Sequence, residues 1–287
     1  MAIGVFDSGV GGLTIHRALT ERFPAADFVY LADQAHMPYG PRSGEDIVRL
    51  TRMGCRQLFR EGCDLVVLAC NTASAVALRR LQRIWLPEFR RESGRRANVL
   101  GIIVPTIEVA TGRPWSAQDH AAQAETSSGT QVLGVFATRA TARSRVYEIE
   151  VEKRRPDLSV VTEPCPHLAA LIEQGAAGAQ LAEVIGMHVR ALHDAIGHPP
   201  QQVILGSTHY EVVADLFRKA LAPMTQVIRQ PCATADALQL YLARHPEFAA
   251  GSAGVRRFLT TGTAGTQNSL AASCWGQPLA FESVQLD

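Results

Sequence analysis

Val66-Val67-Leu68-Ala69-Cys70-Asn71-Thr72 is an apolar run that ends in a thiol, an amide and a hydroxyl. Leu65–Ala69 has no polar alternation, which marks a strand covered on both faces, as in a parallel sheet. The stretch after it, Ala73–Ile84, has helical periodicity. The same passage returns as Val203-Ile204-Leu205-Gly206-Ser207-Thr208-His209, followed by a helical stretch at Val212–Leu221. A second echo joins Gly4-Val5-Phe6-Asp7-Ser8 to Gly134-Val135-Phe136-Ala137-Thr138. The two echoes keep order and nearly the same spacing. They imply two similar lobes, each with a parallel sheet. Ligands of such sheets bind beyond the carboxyl ends of the strands, so two facing lobes would bring four strand-end loops to one cleft.

Working outward, strands are expected at Ile3–Phe6, Phe28–Leu31, Val99–Val104, Val132–Phe136, Ser159–Val161, Gln202–Leu205, Gln226–Arg229 and Arg257–Thr260. Helices are expected between them, at Leu13–Phe23, Glu45–Arg60, Thr141–Lys153, Thr234–Arg244 and Asn268–Cys274, with a broken one over Leu168–Ile196. Alternation of this kind specifies an α/β fold with mostly parallel sheets. The expected architecture is two pseudo-symmetric parallel-sheet α/β lobes with the active site in the cleft between them. Residues 1–98 with 229–287 form a discontinuous first lobe, and 99–228 the second. Arg113–Gly129 is polar, small and aperiodic, and reads as a surface insertion.

Length and composition agree. At about 150 residues per domain, 287 residues suggest two domains. With 47% hydrophobic and 19% charged residues the chain can bury substantial cores. Its 28 basic and 27 acidic residues leave a formal charge of +1, which argues against broad binding to nucleic acid or anionic membrane. No apolar run approaches the roughly 18 residues of a membrane span, and no basic segment with a cleavage site opens the chain. A soluble cytoplasmic protein is expected. Its six cysteines (Cys55, Cys63, Cys70, Cys165, Cys232, Cys274) are then expected reduced. No CxxC pair occurs, so no metal site is expected.

The candidate chemistry sits at strand ends. Asp7-Ser8-Gly9-Val10-Gly11-Gly12-Leu13 joins a strand to a helix, whose free amides favour an anion. It matches neither the dinucleotide fingerprint nor a P-loop, and a turn needed only for packing is the alternative. Cys70 precedes a helix, where a thiol tends towards a lower pKa; the alternative is a buried structural cysteine. Asn71 and Thr72 beside it suit a carboxylate or ammonium group. Ser207-Thr208-His209-Tyr210 holds the matching place in the second half, without the elbow of a serine hydrolase; a polar helix cap is the alternative. Pro38-Tyr39-Gly40 reads as a turn, and Asp33 and Glu173 as isolated carboxylates facing solvent.

Taken together, the motifs at Asp7–Leu13 (DSGVGGL), Pro38–Gly40 (PYG), Ala69–Ser74 (ACNTAS), Ala137–Thr141 (ATRAT) and Gly206–Tyr210 (GSTHY) resemble the glutamate racemases of the aspartate/glutamate racemase superfamily. The resemblance spans the chain apart from Arg113–Gly129. It implies a cofactor-independent isomerase, without pyridoxal phosphate, metal or flavin, that supplies D-glutamate for peptidoglycan. It implies two cysteines on opposite faces of the substrate Cα, one removing the α-proton and the other returning one. Cys70 matches the first, with Asp7 assisting it. His209 matches the residue that assists the second, and Asp33 and Glu173 match further catalytic carboxylates. Ser8, Pro38, Tyr39, Gly40, Asn71, Thr72, Thr138, Thr141 and Thr208 match positions that hold the substrate glutamate.

One departure matters. The family motif Gly-Cys-Thr-His here reads Gly206-Ser207-Thr208-His209. A serine hydroxyl supplies almost no anion at neutral pH and needs a strong partner base. Racemisation by this chain is therefore expected to be reduced or abolished, with the fold and ligand site kept. Two explanations stand open: a Cys→Ser replacement made to trap the enzyme, or a natural relative adapted to one-base chemistry. Other members of the superfamily (aspartate or hydantoin racemase, arylmalonate-type decarboxylase) and a ligand-binding or gyrase-inhibiting protein without turnover are the alternatives. With near-neutral charge, any gyrase effect would run through protein contact rather than DNA. The resemblance also implies a homodimer. Thr261-Gly262-Thr263 lacks the aspartate usual after the glycine, and no role is assigned to it. No N-terminal extension precedes the first strand, so activation by a peptidoglycan precursor is not expected.

Overall fold

The computed structural model describes residues 2–113, 131–249, 251, 253–263 and 269–287. The expected surface insertion lies outside them except for Arg113. Among the described residues there are ten strands: β1 (Ala2–Asp7), β2 (Phe28–Ala32), β3 (Cys63–Leu68), β4 (Asn98–Gly101), β5 (Val132–Ala137), β6 (Ser159–Pro164), β7 (Gln202–Gly206), β8 (Gln226–Ile228), β9 (Arg256–Thr260) and β10 (Glu282–Ser283). They form a six-stranded sheet in the order β10-β9-β2-β1-β3-β4 and a four-stranded sheet in the order β6-β5-β7-β8. Every pairing is parallel.

The internal echo is a structural one. β1 lies on β3 with Gly4 opposite Val66, and β5 lies on β7 with Gly134 opposite Val203. The glycines serve the same purpose in both sheets. A Cβ on Gly4 would sit 3.1 Å from both Leu58 and Val66, and one on Gly134 would sit 2.7 Å from Leu192 and 3.1 Å from Val203. A helical leucine thus presses onto each central strand at the same point. Apolar residues cover both faces of each sheet, which is why the central strands carry no polar alternation.

Helix Gly44–Arg60 illustrates how the layers form. Ser43 caps it by accepting from the Asp46 amide at 3.2 Å. Ile47, Leu50, Thr51, Gly54, Cys55 and Leu58 then form one buried face at helical spacing.

Several boundaries differ from expectation. The strand expected at Val99–Val104 ends at Gly101, and Ile103–Thr111 is a helix. Its β-branched residues read as strand, but Ile103, Ile107 and Ala110 pack as a helical face against Val135 and Leu133 of β5. Pro105 falls in its first turn, where no amide is needed. β4 pairs with β3, so the first sheet runs through Gly101. The helix expected at Thr141–Lys153 is two, Arg139–Ser144 and Val146–Glu152, separated by Arg145 at a φ of 53°. Helix Thr208–Val212 begins before the expected Val212, and β10 was not expected. Among the described residues no helix is long and apolar enough to cross a membrane. All six cysteines are unpaired, and only Cys232 is exposed.

Candidate active site

Four strand ends converge, as the duplicated pattern requires. Asp7 ends β1, and Thr138 follows β5 as the cap of helix Arg139–Ser144. Cys70 follows β3 and caps helix Asn71–Val76, its Sγ accepting from the Ala73 amide at 3.4 Å. Ser207 follows β7 at the start of helix Thr208–Val212, but its side chain makes no capping bond. The hydroxyl is therefore not spent on the helix, contrary to the reading of Ser207 as a polar cap.

Between these ends lies a cavity of about 160 Å3. Of the residues singled out in the sequence, Cys70, Ser207, His209, Glu173, Ser8, Pro38, Tyr39, Gly40, Asn71, Thr72, Thr138 and Thr208 line it. Asp7, Asp33 and Thr141 stand behind the wall. Asp7 is fully buried and accepts from the Ser8 hydroxyl at 3.2 Å, the Gly9 amide at 3.0 Å and the Thr208 hydroxyl at 3.1 Å. Thr141 lies 3.0 Å from Thr138 and 3.3 Å from Thr72, while Thr72 and Thr138 are 3.0 Å apart. These three hydroxyls join the two lobes. Gly9, Met37, Ala169, Ala170 and Gln174 complete the lining and were not foreseen. Gly9 and Met37 adjoin recognised motifs, and Ala169 and Ala170 lie one helical turn before Glu173, so helical spacing could have found them.

Asp33 and Glu173 do not face solvent as isolated carboxylates. Asp33 is fully buried and accepts from the Tyr39 hydroxyl at 2.6 Å and the Thr261 hydroxyl at 2.8 Å; its Oδ1 lies 2.8 Å from His36 Nδ1. It reaches the cavity through Tyr39. Thr261, to which no role was assigned, therefore helps hold the carboxylate that orients Tyr39; its hydroxyl also accepts from the Ala35 amide at 2.9 Å. Glu173 pairs through Oε2 with Nε2 of His209. The imidazole thus turns to a carboxylate of a neighbouring helix.

In the glycine-rich turn the Gly9 amide is taken by the Asp7 carboxylate at 3.0 Å. A Cβ on Gly11 would sit 2.7 Å from Thr208 Oγ1 and 3.0 Å from His209 Nδ1. Gly11 lets the first lobe press directly on the Thr208–His209 segment of the second.

The electrostatics also correct an expectation. The Cys70 thiol is not lowered by the helix start. Burial, and then the nearby Asp7 carboxylate, push it up to about 11, against the smaller pull of the Ser8 hydroxyl and the Ala73 amide. Burial raises Asp7 above the usual carboxylate range despite His209 and its hydrogen bonds. Burial alone would lower His209, but the Glu173 and Asp7 carboxylates outweigh it and hold the imidazole above its ordinary value. The cavity is therefore lined by a thiol with a raised pKa and by a carboxylate-backed imidazole. Among the described residues no group of three or more histidine, cysteine or acidic side chains is placed to hold a metal ion.

Comparison with known proteins gives a consistent result. No protein-family model matches the chain. A glutamate racemase from Phenylobacterium zucineum is 65% identical over 98% of this chain and 99% of its own length. One from Caulobacter sp. is 60% identical over 99% of this chain and all of its own. Among solved structures, the Francisella tularensis glutamate racemase in complex with D-glutamate superposes with a TM-score of 0.80 at 26% identity, covering 100% of this chain and 98% of that one. A near-full-length match at 65% identity, together with the fold shared with a solved glutamate racemase, leaves one assignment: the chain belongs to the glutamate racemase family.

Proposed function

We propose that this chain binds glutamate in the cavity between Cys70 and Ser207 and acts on the proton at its Cα. The observation that carries the reading is that these two residues follow equivalent strands of the two sheets, β3 and β7, and line one cavity. A two-base racemisation needs a group on each face of Cα, and this placement supplies two. On the first face, Cys70 Sγ lies 3.5 Å from Ser8 Oγ, which lies 3.2 Å from Asp7 Oδ1. Ser8 thus links the thiol to a carboxylate whose proton affinity burial has raised, so a proton can leave or return along a short path. The second face is weaker. Ser207 cannot form an anion at neutral pH, and His209 is already engaged by Glu173. The duplication is unequal here as well: the counterpart of Asp7 is Ala137.

Cys70 then exchanges the α-proton on one face, while inversion is slow. The physiological reading is a cytoplasmic enzyme that would supply D-glutamate for peptidoglycan, impaired in this chain at residue 207. The test is D/L-glutamate interconversion by this chain and by Ser207→Cys, followed in D2O. General acid–base catalysis contributes roughly 10²–10⁴-fold, so Ser207→Cys is expected to gain that much in inversion rate. The unaltered chain should wash deuterium into one enantiomer without inverting it. Equal and fast inversion by both proteins would remove Ser207 as the deficient position, and equal exchange from both enantiomers would remove Cys70 as a one-sided acid–base group.

A further inference from the structure

Behind the cavity, the two crossings between lobes meet at one buried polar cluster. Helix Ile103–Thr111 follows the first crossing and carries Thr106; helix Gln230–Arg244 follows the second and begins with Gln230. Tyr147 comes from helix Val146–Glu152 of the second lobe, and Asn71 is the first residue after Cys70. The side-chain amides of Asn71 and Gln230 face each other. Asn71 Nδ2 donates to Gln230 Oε1 at 2.9 Å, and Gln230 Nε2 donates to Asn71 Oδ1 at 3.0 Å. The Tyr147 hydroxyl takes the second acceptor site of Asn71 Oδ1 at 2.9 Å. Gln230 Nε2 also lies 3.2 Å from Thr106 Oγ1 and 3.4 Å from Tyr147 Oη. All four residues are buried, none more than 2% exposed.

The Asn71 carbonyl oxygen is therefore fully engaged away from the cavity, and one of its amide hydrogens with it. Buried groups like these have no water to turn to if a partner leaves. The link between Cys70 and the second lobe is accordingly held from behind, by residues that touch no ligand.

We propose that Gln230, supported by Tyr147 and Thr106, is a positioning residue that places Cys70 by clamping the Asn71 side chain across both lobe crossings. Closing the lobes and setting the thiol then become a single event. A chain whose crossings relax loses the placement of Cys70, even with every cavity residue intact. The inference rests on the reading of Cys70 as the reacting thiol, but its test needs no turnover.

The experiment measures iodoacetamide alkylation of individual cysteines by peptide mass spectrometry between pH 7 and 10.5, with and without glutamate. Exposed Cys232 and fully buried Cys55 serve as internal references. Gln230→Met removes the amide at similar volume, Gln230→Glu keeps one acceptor, and Tyr147→Phe removes a single hydrogen bond while leaving the ring in place. In Gln230→Met, Cys70 is expected to react at least tenfold faster, with a shifted pH profile and weaker protection by glutamate. Gln230→Glu, which sets a carboxylate oxygen against Asn71 Oδ1, should rise at least as much, Tyr147→Phe should give a smaller rise, and Cys55 and Cys232 should be unchanged. A Cys70 rate within twofold of the unaltered chain in folded Gln230→Met and Tyr147→Phe overturns the proposal. So does a rise matched by Cys55, which marks general loosening. Should the proposed turnover fail, the alkylation pattern still reports on the clamp separately.

Discussion

Gly11→Ala tests how tightly the lobes are pressed together. The new Cβ would lie 2.7 Å from Thr208 Oγ1 and 3.0 Å from His209 Nδ1. Both are side chains with little room: Thr208 is 4% exposed and holds Asp7 at 3.1 Å, and His209 is held by Glu173. Relieving the contact means overpacking, at about 1–3 kcal/mol, or surrendering the Thr208 bond to a carboxylate, at about 1.5–3 kcal/mol. Either loss, at about 1–3 kcal/mol, corresponds to a melting temperature roughly 2–12 °C lower. If the lobes separate instead, the loss appears in glutamate affinity. Thermal melting and calorimetric titration with glutamate read the two alternatives. Gly178→Ala is the control, since a Cβ there meets nothing within 4 Å and the residue begins a helix; it should be neutral or slightly stabilising. If Gly11→Ala melts within about 1 °C of the unaltered chain and binds glutamate within twofold, the reasoning about close lobe contact is wrong.

Three further outcomes follow from buried groups. Burial pushes the Cys70 thiol to about 11 and Cys63 and Cys274 to about 12, whereas unfolded thiols ionise near 8.5. Above that pH the unfolded chain sheds protons the folded chain keeps, so stability falls by about 1.4 kcal/mol per pH unit for each such thiol, up to its folded value; urea midpoints that stay constant from pH 8 to 10.5 would contradict this. His16 lies among Phe28, Tyr30, Phe258 and Trp275 with no hydrogen-bond partner for either ring nitrogen, and burial lowers it to about 3. Its stability contribution is lost as pH falls from about 6.5 towards 3, and His16→Phe should raise the melting temperature and flatten that acid dependence, with an unchanged acid limb counting against it. Thr261→Val removes a donor to Asp33 and an acceptor for the Ala35 amide; at about 1 kcal/mol per hydrogen bond, glutamate affinity should drop about fivefold through the looser Tyr39, and an unchanged affinity would separate Asp33 from the site.

Much of the fold was legible because its signals are local. Buried parallel strands such as Val203–Leu205 lack polar alternation, and the repeated glycine of β1 and β5 answers the same helical leucine in each lobe. Ile103–Thr111 misled because β-branched residues favour strands on intrinsic preference, and only packing on β5 decides otherwise. The cavity wall was legible from motifs at strand ends. What lay behind it was not. Asp33 carries no local sign that Tyr39 and Thr261 will enclose it. Asn71, Thr106, Tyr147 and Gln230 are far apart in sequence and meet only because both crossings pass the same point. The direction of the Cys70 shift was misjudged for a related reason: the helix start is visible in sequence, whereas complete burial beside Asp7 is not.

The unequal halves carry a kinetic consequence. Mirror-image substrates have the same free energy in water, so no catalyst can favour one of them at equilibrium. An enzyme that interconverts them must show the same kcat/KM in both directions, however different its two sides. Asp7 at the end of β1 and Ala137 at the matching end of β5 can therefore appear only as paired differences: a direction with the higher kcat must have the proportionally higher KM. In a restored Ser207→Cys enzyme the built-in handedness of the cleft would be recorded in that compensation, and nowhere in the final ratio of products.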